Sequence, residues 1–188
     1  MPTRLPPRAC AKPRPPRSKS TPTSRRMLAG QGTVGREFQM DAPELTHVLV
    51  ATGGGGLIGG IVVWYAGSAQ ILCVEPERCP TLATAPRSGH PIDCPVSGLA
   101  ADSLGARKVG SLMFPIAQAF VTEAVLVTDD PIAAAQRLLW EQLRLIAEPG
   151  GATGLAALTS GRFVPPASAR VGVVISGGNT DPGMIVAP

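Results

Sequence analysis

Four consecutive glycines, Gly53 to Gly56, are the residues of this chain whose pattern most directly indicates chemistry. They follow HVLVA at 47–51, which predicts a short buried strand, and Leu57 opens an apolar segment that predicts a helix. Glycine has no Cβ atom, so its backbone can approach a ligand closely. A helix N-terminus adds unpaired N–H groups and a partial positive charge. The stretch therefore predicts a phosphate-binding loop, with a tight turn that binds nothing as the alternative.

The glycine spacing also fits a dinucleotide-binding fingerprint. No Gly-Lys-Ser/Thr follows the loop, which excludes a Walker A motif. Gly54, Gly56 and Gly59 fit G-x-G-x-x-G, and the next apolar run, 71–75, ends in Glu75, 21 residues after Gly54. That is where an acid would bind a ribose. A Rossmann-type NAD or nucleotide-binding module using these four residues is therefore one hypothesis.

Apolar runs and turn signals alternate along the chain and indicate the elements that position this loop. Strands are predicted at 47–51, 71–75, 123–128 and 171–176, and helices at 31–39, 57–65, 111–120, from 130 onward, and at 152–159. Residues 76–110 read as irregular. Asp130 and Pro131 are typical of a helix N-cap and first position. The apolar face predicted for that helix is Ile132, Ala135, Leu139, Leu143 and Ile146. This order predicts an α/β fold, a parallel sheet with helices on both faces.

The charge distribution divides the chain at residue 27. Residues 1–26 hold eight Lys/Arg, seven Pro and no acidic residue, so we predict a disordered tail. Residues 27–188 hold nine Lys/Arg against thirteen Asp/Glu and form the predicted α/β domain. The domain is therefore not expected to bind nucleic acid.

Other features indicate a cytoplasmic chain without a membrane segment. No uninterrupted apolar run is long enough for a membrane span. The four cysteines show no CxxC spacing, so neither a metal site nor disulfides are predicted. His47 and His90 have no recognisable nucleophile partner. The sequence is compatible with a homo-oligomer.

Five ordered segments together resemble the threonine/serine dehydratases, which are fold-type II pyridoxal-phosphate (PLP) enzymes alongside serine racemase. The segments are AGQGTVGREF at 29–38, TGGGGLIGG at 52–60, VEP at 74–76, AEPGGA at 147–152 and SGGN at 176–179. The resemblance runs from about Leu28 to Pro182. It implies PLP as cofactor, threonine or serine as substrate, and a 2-oxo acid and ammonia as products.

The resemblance also implies roles for individual residues. Gly53 to Gly56 and the Leu57 amide would hold the PLP phosphate, Ser176 would bond the pyridine nitrogen, and Glu148 would lie near the ring. In serine racemase-like members the acid matching Glu75 binds a divalent cation. The companion ligand positions are Cys79 and Thr81 here, and a thiol does not suit Mg²⁺ or Ca²⁺, so no metal is predicted.

The chain departs from the family in one essential residue. The family carries its Schiff-base lysine in a Ser-x-Lys motif in an N-terminal half that has no counterpart here. The three lysines of this chain are Lys12, Lys19 and Lys108, none in the matching context. We therefore expect no catalytic residue and an inactive fragment of the family fold. A non-catalytic subunit that completes a site with another chain is the remaining hypothesis.

Overall fold

A four-stranded parallel sheet forms the centre of the computed structural model, which describes residues 24–186 apart from the side chains of Pro86 and Arg87. The strands are β1 (His47–Ala51), β2 (Gln70–Pro76), β3 (Val121–Val127) and β4 (Val171–Val173), in the spatial order β3-β2-β1-β4. The helices are α1 (Arg25–Asp41), α2 (Gly56–Tyr65), α3 (Thr81–Ser88), α4 (Ala101–Leu104), α5 (Met113–Phe120), α6 (Asp129–Leu143), α7 (Pro149–Thr159) and α8 (Gly183–Val186).

Helices cover both faces of the sheet, as predicted. Successive residues of β1 point to opposite faces. Val48 and Val50 belong to a core that includes Ile58 and Ile61 of α2, while Leu49 belongs to a second core that includes residues of α6 and α7. All five residues of β1 are buried. A strand covered on both sides explains the continuous apolar run of its sequence.

Helices α1 and α2 cross at glycines, and this crossing orients the start of α2. A Cβ atom on Gly60 would lie 2.5 Å from the Leu28 carbonyl oxygen and would also collide with the backbone of Gly32. Only glycine allows two helix backbones to approach so closely. The N-terminus of α2, which the glycine loop opens, is thereby held against α1.

Helices α1, α6 and α7 begin earlier than the sequence predicts. Helix α1 begins at Arg25, because the Ser24 hydroxyl accepts a hydrogen bond from the Met27 N–H at 3.2 Å. Residues 24–26, predicted as the end of the disordered tail, therefore form the N-cap and first turn of α1. Residues 1–23 lie outside the described part of the chain. Helix α6 begins at Asp129 rather than after an Asp130 cap, with Thr128 as N-cap. Helix α7, predicted from residue 152, begins at Pro149 with Glu148 as N-cap, since a proline at the first helical position loses no hydrogen bond.

The segment 76–110, predicted as irregular, contains α3 and α4. Strand β4 ends at Val173, three residues before the predicted end. The predicted apolar face of α6 is correct for Ile132, Ala135 and Leu139, which are buried. Leu143 is 61% exposed, because the helix ends there, so its side chain lies beyond the sheet-covering part of the helix.

Candidate phosphate-binding site

The glycine loop leaves the carboxyl edge of the sheet directly after β1. The Thr52 N–H still bonds to the Val74 carbonyl of β2 at 2.9 Å, and the chain then turns away. Gly55 has a φ of +88° and is the N-cap of α2. The first helical bond runs from the Gly59 N–H to the Gly55 carbonyl at 2.9 Å. Within residues 24–186, none of the N–H groups of Gly53–Leu57 donates a hydrogen bond to a protein acceptor.

Two of the four glycines are required by the protein's own packing. A Cβ atom on Gly53 would lie 2.7 Å from the Leu104 carbonyl oxygen, and one on Gly55 would lie 2.5 Å from the Met113 Cγ. At Gly55 the positive φ adds to this requirement.

The other two glycines have no such requirement. At Gly54 the nearest atom to an added Cβ would be the Ala106 Cβ at 3.5 Å, and at Gly56 the Met27 Sδ at 3.6 Å. Both distances are ordinary contacts, so protein packing alone does not explain glycine at these positions.

Glu148 and Ser176 lie where α7 begins and where the chain leaves β4. The Glu148 N–H donates to the Gly177 carbonyl at 2.9 Å, and a Cβ atom on Gly177 would collide with the Glu148 carboxylate. The Val174 N–H bonds to the Leu49 carbonyl at 3.1 Å, so the chain continues beside β1 after β4 ends at Val173. In a parallel sheet these strand ends share one edge. Ser176, which is exposed, therefore lies at the same edge as the glycine loop.

A short helix that the sequence analysis missed links the two parts of this edge. Leu104 of α4 contacts Gly53 through its carbonyl oxygen, and its Cγ would lie 3.0 Å from a Cβ atom on Gly150. The Ser103 hydroxyl accepts a hydrogen bond from the Gly150 N–H at 3.0 Å. Helix α4 thus lies between the glycine loop and the start of α7. The four-residue helix has no periodicity that could have revealed it in the sequence.

Glu75 is fully buried and caps α3 from the end of β2. Its carboxylate accepts hydrogen bonds from the Thr81 hydroxyl at 2.8 Å, the Leu82 N–H at 2.7 Å and the Ala83 N–H at 2.9 Å. Burial raises the pKa of Glu75 to about 7, although the same hydrogen bonds oppose the shift.

These contacts support neither a ribose-binding nor a metal-binding role for Glu75. A carboxylate with no exposed surface and both oxygens bonded inside the protein has no access to a ribose, so the Rossmann hypothesis gains no support. The Cys79 thiol donates to the Ser97 carbonyl at 3.3 Å instead of facing a cation. Among the described residues no group of three or more His, Cys, Asp or Glu could hold a metal ion.

His47 is the first residue of β1, at the opposite end of the strand from the glycine loop, and its Nδ1 lies 2.8 Å from the Thr46 hydroxyl. His90 lies in an exposed turn. No helix in the described part of the chain combines the length and apolar character needed to cross a membrane.

A parallel α/β sheet with a glycine loop opening a helix at its carboxyl edge defines the class of protein. Residues 17–177 match the family of pyridoxal-phosphate dependent enzymes, and the chain belongs to that family. The resemblance, the fold-type II architecture and PLP as the family's cofactor are thereby confirmed.

Sequence and structure comparisons show similarity of the chain to serine racemases and to threonine ammonia-lyases. It is 34% identical over 165 residues to a serine racemase of Oryza sativa subsp. indica, covering 84% of this chain and 48% of the relative. It is 36% identical over 162 residues to an L-threonine ammonia-lyase of Thermotoga maritima, covering 85% of this chain and 40% of the relative. The solved structure of maize serine racemase superposes with a TM-score of 0.78 at 34% identity, covering 85% of this chain and 51% of that structure. The chain thus spans about half the length of the relatives it matches.

Proposed function

We propose that this chain holds the phosphate group of PLP on the backbone N–H groups of Gly53–Gly56 and Leu57. The observation that carries the proposal is that Gly54 and Gly56 are glycines without any packing requirement for glycine. The free N–H groups of the loop and the N-terminus of the ten-residue helix α2 provide donors and positive potential for an anion.

Ser176 and Glu148 are proposed to face the ring of the cofactor. Bound PLP supplies an electron sink that allows a proton to leave the Cα atom of an amino acid. An exposed serine hydroxyl at the carboxyl edge is available to bond the pyridine nitrogen, and being neutral it does not enforce protonation of that nitrogen. Glu148 is half-buried and is held beside Gly177, one residue from Ser176.

The reaction class that this arrangement supports is the elimination of water from a β-hydroxy amino acid, threonine or serine. The Cα proton and the β-hydroxyl group leave as water, and hydrolysis of the resulting enamine or imine gives a 2-oxo acid and ammonia. The similarity to an L-threonine ammonia-lyase and to a phenylserine dehydratase favours this class.

The described residues offer one lysine for covalent attachment of the cofactor, Lys108. It is exposed and lies in the segment that contacts the glycine loop through Ala106, Val109 and Gly110. The relatives' lysine motif is absent around it. We therefore propose that this chain by itself does not dehydrate threonine, because general acid–base help at Cα is worth about 10²–10⁴-fold in rate.

The phosphate site is tested by titrating PLP into the wild-type chain and into Gly54→Ala, following cofactor absorbance. The methyl group has ordinary contact room in the protein, so the variant should fold normally and bind PLP at least about tenfold more weakly. Gly30→Ala is the matched control, since nothing lies within 4 Å of its added Cβ. Equal affinity of the wild type and Gly54→Ala for PLP would show that the loop is only a tight turn and does not bind the phosphate.

A second experiment tests the absence of activity. We expect no 2-oxobutyrate release from threonine with excess PLP, and no PLP adduct after borohydride reduction and mass spectrometry. Turnover together with an adduct on Lys108 would contradict the proposal and make Lys108 the attachment residue.

A further inference from the structure

The Thr81 hydroxyl lies within hydrogen-bond distance of two acceptors but has one hydrogen. Its Oγ1 is 2.6 Å from the Gly53 carbonyl oxygen and 2.8 Å from the Glu75 Oε1. All three groups are buried. When Glu75 is ionised, the hydroxyl can donate to the carboxylate or to the carbonyl, and the other acceptor loses this donor.

A proton on Glu75 removes this conflict. The protonated carboxyl group donates to the Thr81 oxygen, and the Thr81 hydroxyl is then free to donate to the Gly53 carbonyl. The Leu82 and Ala83 N–H groups keep their bonds to the same carboxyl oxygens. A continuous chain of hydrogen bonds then connects Glu75 to the first glycine of the loop.

The orientation of the Gly53 carbonyl decides where the next N–H points. A trans peptide is planar, so the Gly54 N–H points away from the Gly53 carbonyl oxygen. A hydrogen bond from Thr81 to that oxygen therefore directs the Gly54 N–H away from Thr81 and from the buried carboxyl group. The Gly54 N–H is one of the donors in the proposed phosphate site.

We propose that Thr81 is a positioning residue that couples the protonation of Glu75 to the glycine loop, so that the loop binds a dianionic phosphate group with uptake of a proton. The identity of the ligand rests on the proposed function of the loop. Linkage requires the converse as well: a bound dianion increases the proton affinity of Glu75.

The surroundings of Glu75 favour a proton on it near neutral pH. Burial raises its pKa to about 7. The titratable groups that face it are the thiols of Cys73, on the same strand, and Cys79, before α3. Burial raises the pKa of both thiols, so both are neutral at pH 7. Asp129 lies beyond Cys79, where it contacts Arg78 at 3.5 Å.

The first experiment measures the coupling without any ligand, by following the Glu75 carboxyl carbon and the Gly54 amide nitrogen by NMR from pH 5 to 9. In the wild type both signals should titrate with the same midpoint. In Thr81→Val Glu75 should still titrate while the Gly54 amide does not follow it, and Thr81→Ser should restore the coupling. In Glu75→Gln the Gly54 amide signal should not change between pH 5 and pH 9. The proposal is overturned if the Gly54 amide signal of the wild type does not titrate with Glu75. It is also overturned if that signal titrates with Glu75 equally well in Thr81→Val.

The second experiment measures inorganic sulfate binding by calorimetry at pH 6 and pH 8.5, since sulfate keeps its charge over this range. Wild-type affinity should fall about five- to tenfold at the higher pH, with proton uptake detected as a buffer-dependent heat. Glu75→Gln should bind with equal affinity at both pH values and take up no proton. A wild type that binds sulfate equally at both pH values overturns the linkage. If the NMR coupling is intact and sulfate does not bind at either pH, the phosphate function of the loop fails and the Thr81 coupling stands.

Discussion

The Glu148 carboxylate packs against the backbone of Gly177, and the Glu148 N–H donates a hydrogen bond to the Gly177 carbonyl at 2.9 Å. This contact joins the start of α7 to the segment after β4. It sets the position of Ser176 relative to Glu148, although 28 residues separate the two in the sequence.

Gly151→Ala should destabilise the fold by about 1–3 kcal/mol, because a Cβ atom there would lie 2.5 Å from the Gly177 carbonyl oxygen, a backbone atom that cannot rotate aside. Urea unfolding followed by circular dichroism measures the change. Gly30→Ala, in a helix with open space around it, should be neutral or slightly stabilising. Equal unfolding free energies for the wild type and Gly151→Ala would contradict the close approach of α7 to the segment after β4.

Gly55→Ala should destabilise the chain by about 2–4 kcal/mol, through the left-handed φ of +88° and the collision with Met113. Gly161→Ala isolates the first contribution, since Gly161 has a φ of +71° with nothing within 4 Å of an added Cβ. The difference between the two variants in thermal or urea unfolding should equal the Met113 collision. If Gly161→Ala is as destabilising as Gly55→Ala, the collision contributes nothing.

The stability of the chain should fall as pH rises from about 4.5 to about 7, and level off above. The pKa of Glu75 is raised in the folded state from 4.5 to about 7, so between these values the folded chain binds the proton more tightly than the unfolded chain. The full effect is about 3 kcal/mol, using ~1.4 kcal/mol for each pH unit. Urea unfolding at pH 5 and pH 8 measures it.

Glu75→Gln is the control for that dependence. The unfolding free energy of this variant should fall much less between pH 5 and pH 8 than that of the wild type. At pH 8 the variant should be more stable than the wild type, because it buries no charge. A wild-type stability that is flat or rises across this range, with Glu75→Gln identical, would exclude an elevated pKa at Glu75.

Ser176→Ala should weaken PLP binding about two- to tenfold, the effect of losing one hydrogen bond of ~0.5–1.5 kcal/mol, and should shift the absorbance of the bound cofactor. Ser160→Ala is the control, since Ser160 lies at the far end of α7 and donates to the Ala156 carbonyl at 2.6 Å. Unchanged affinity and an unchanged spectrum in Ser176→Ala would show that Ser176 does not bond the ring nitrogen.

Local sequence patterns were sufficient for the sheet and for the loop. The HVLVA run predicted β1 with its correct bounds, and the glycines before Leu57 predicted the start of α2 to within one residue. These elements depend on apolar periodicity and on the missing Cβ of glycine, which are properties of neighbouring residues. The family resemblance used the same short segments.

Tertiary structure decided what those residues contact. The sequence offered Glu75 as a ribose ligand, whereas the fold brings the start of α3 over the end of β2 and the carboxylate caps the helix. The sequence could not separate glycines required by packing from those open to a ligand, because the separation depends on Leu104 and Met113, some 50 or more residues away. Burial, capping and close approach are set by residues distant in the chain, so a local pattern does not contain them.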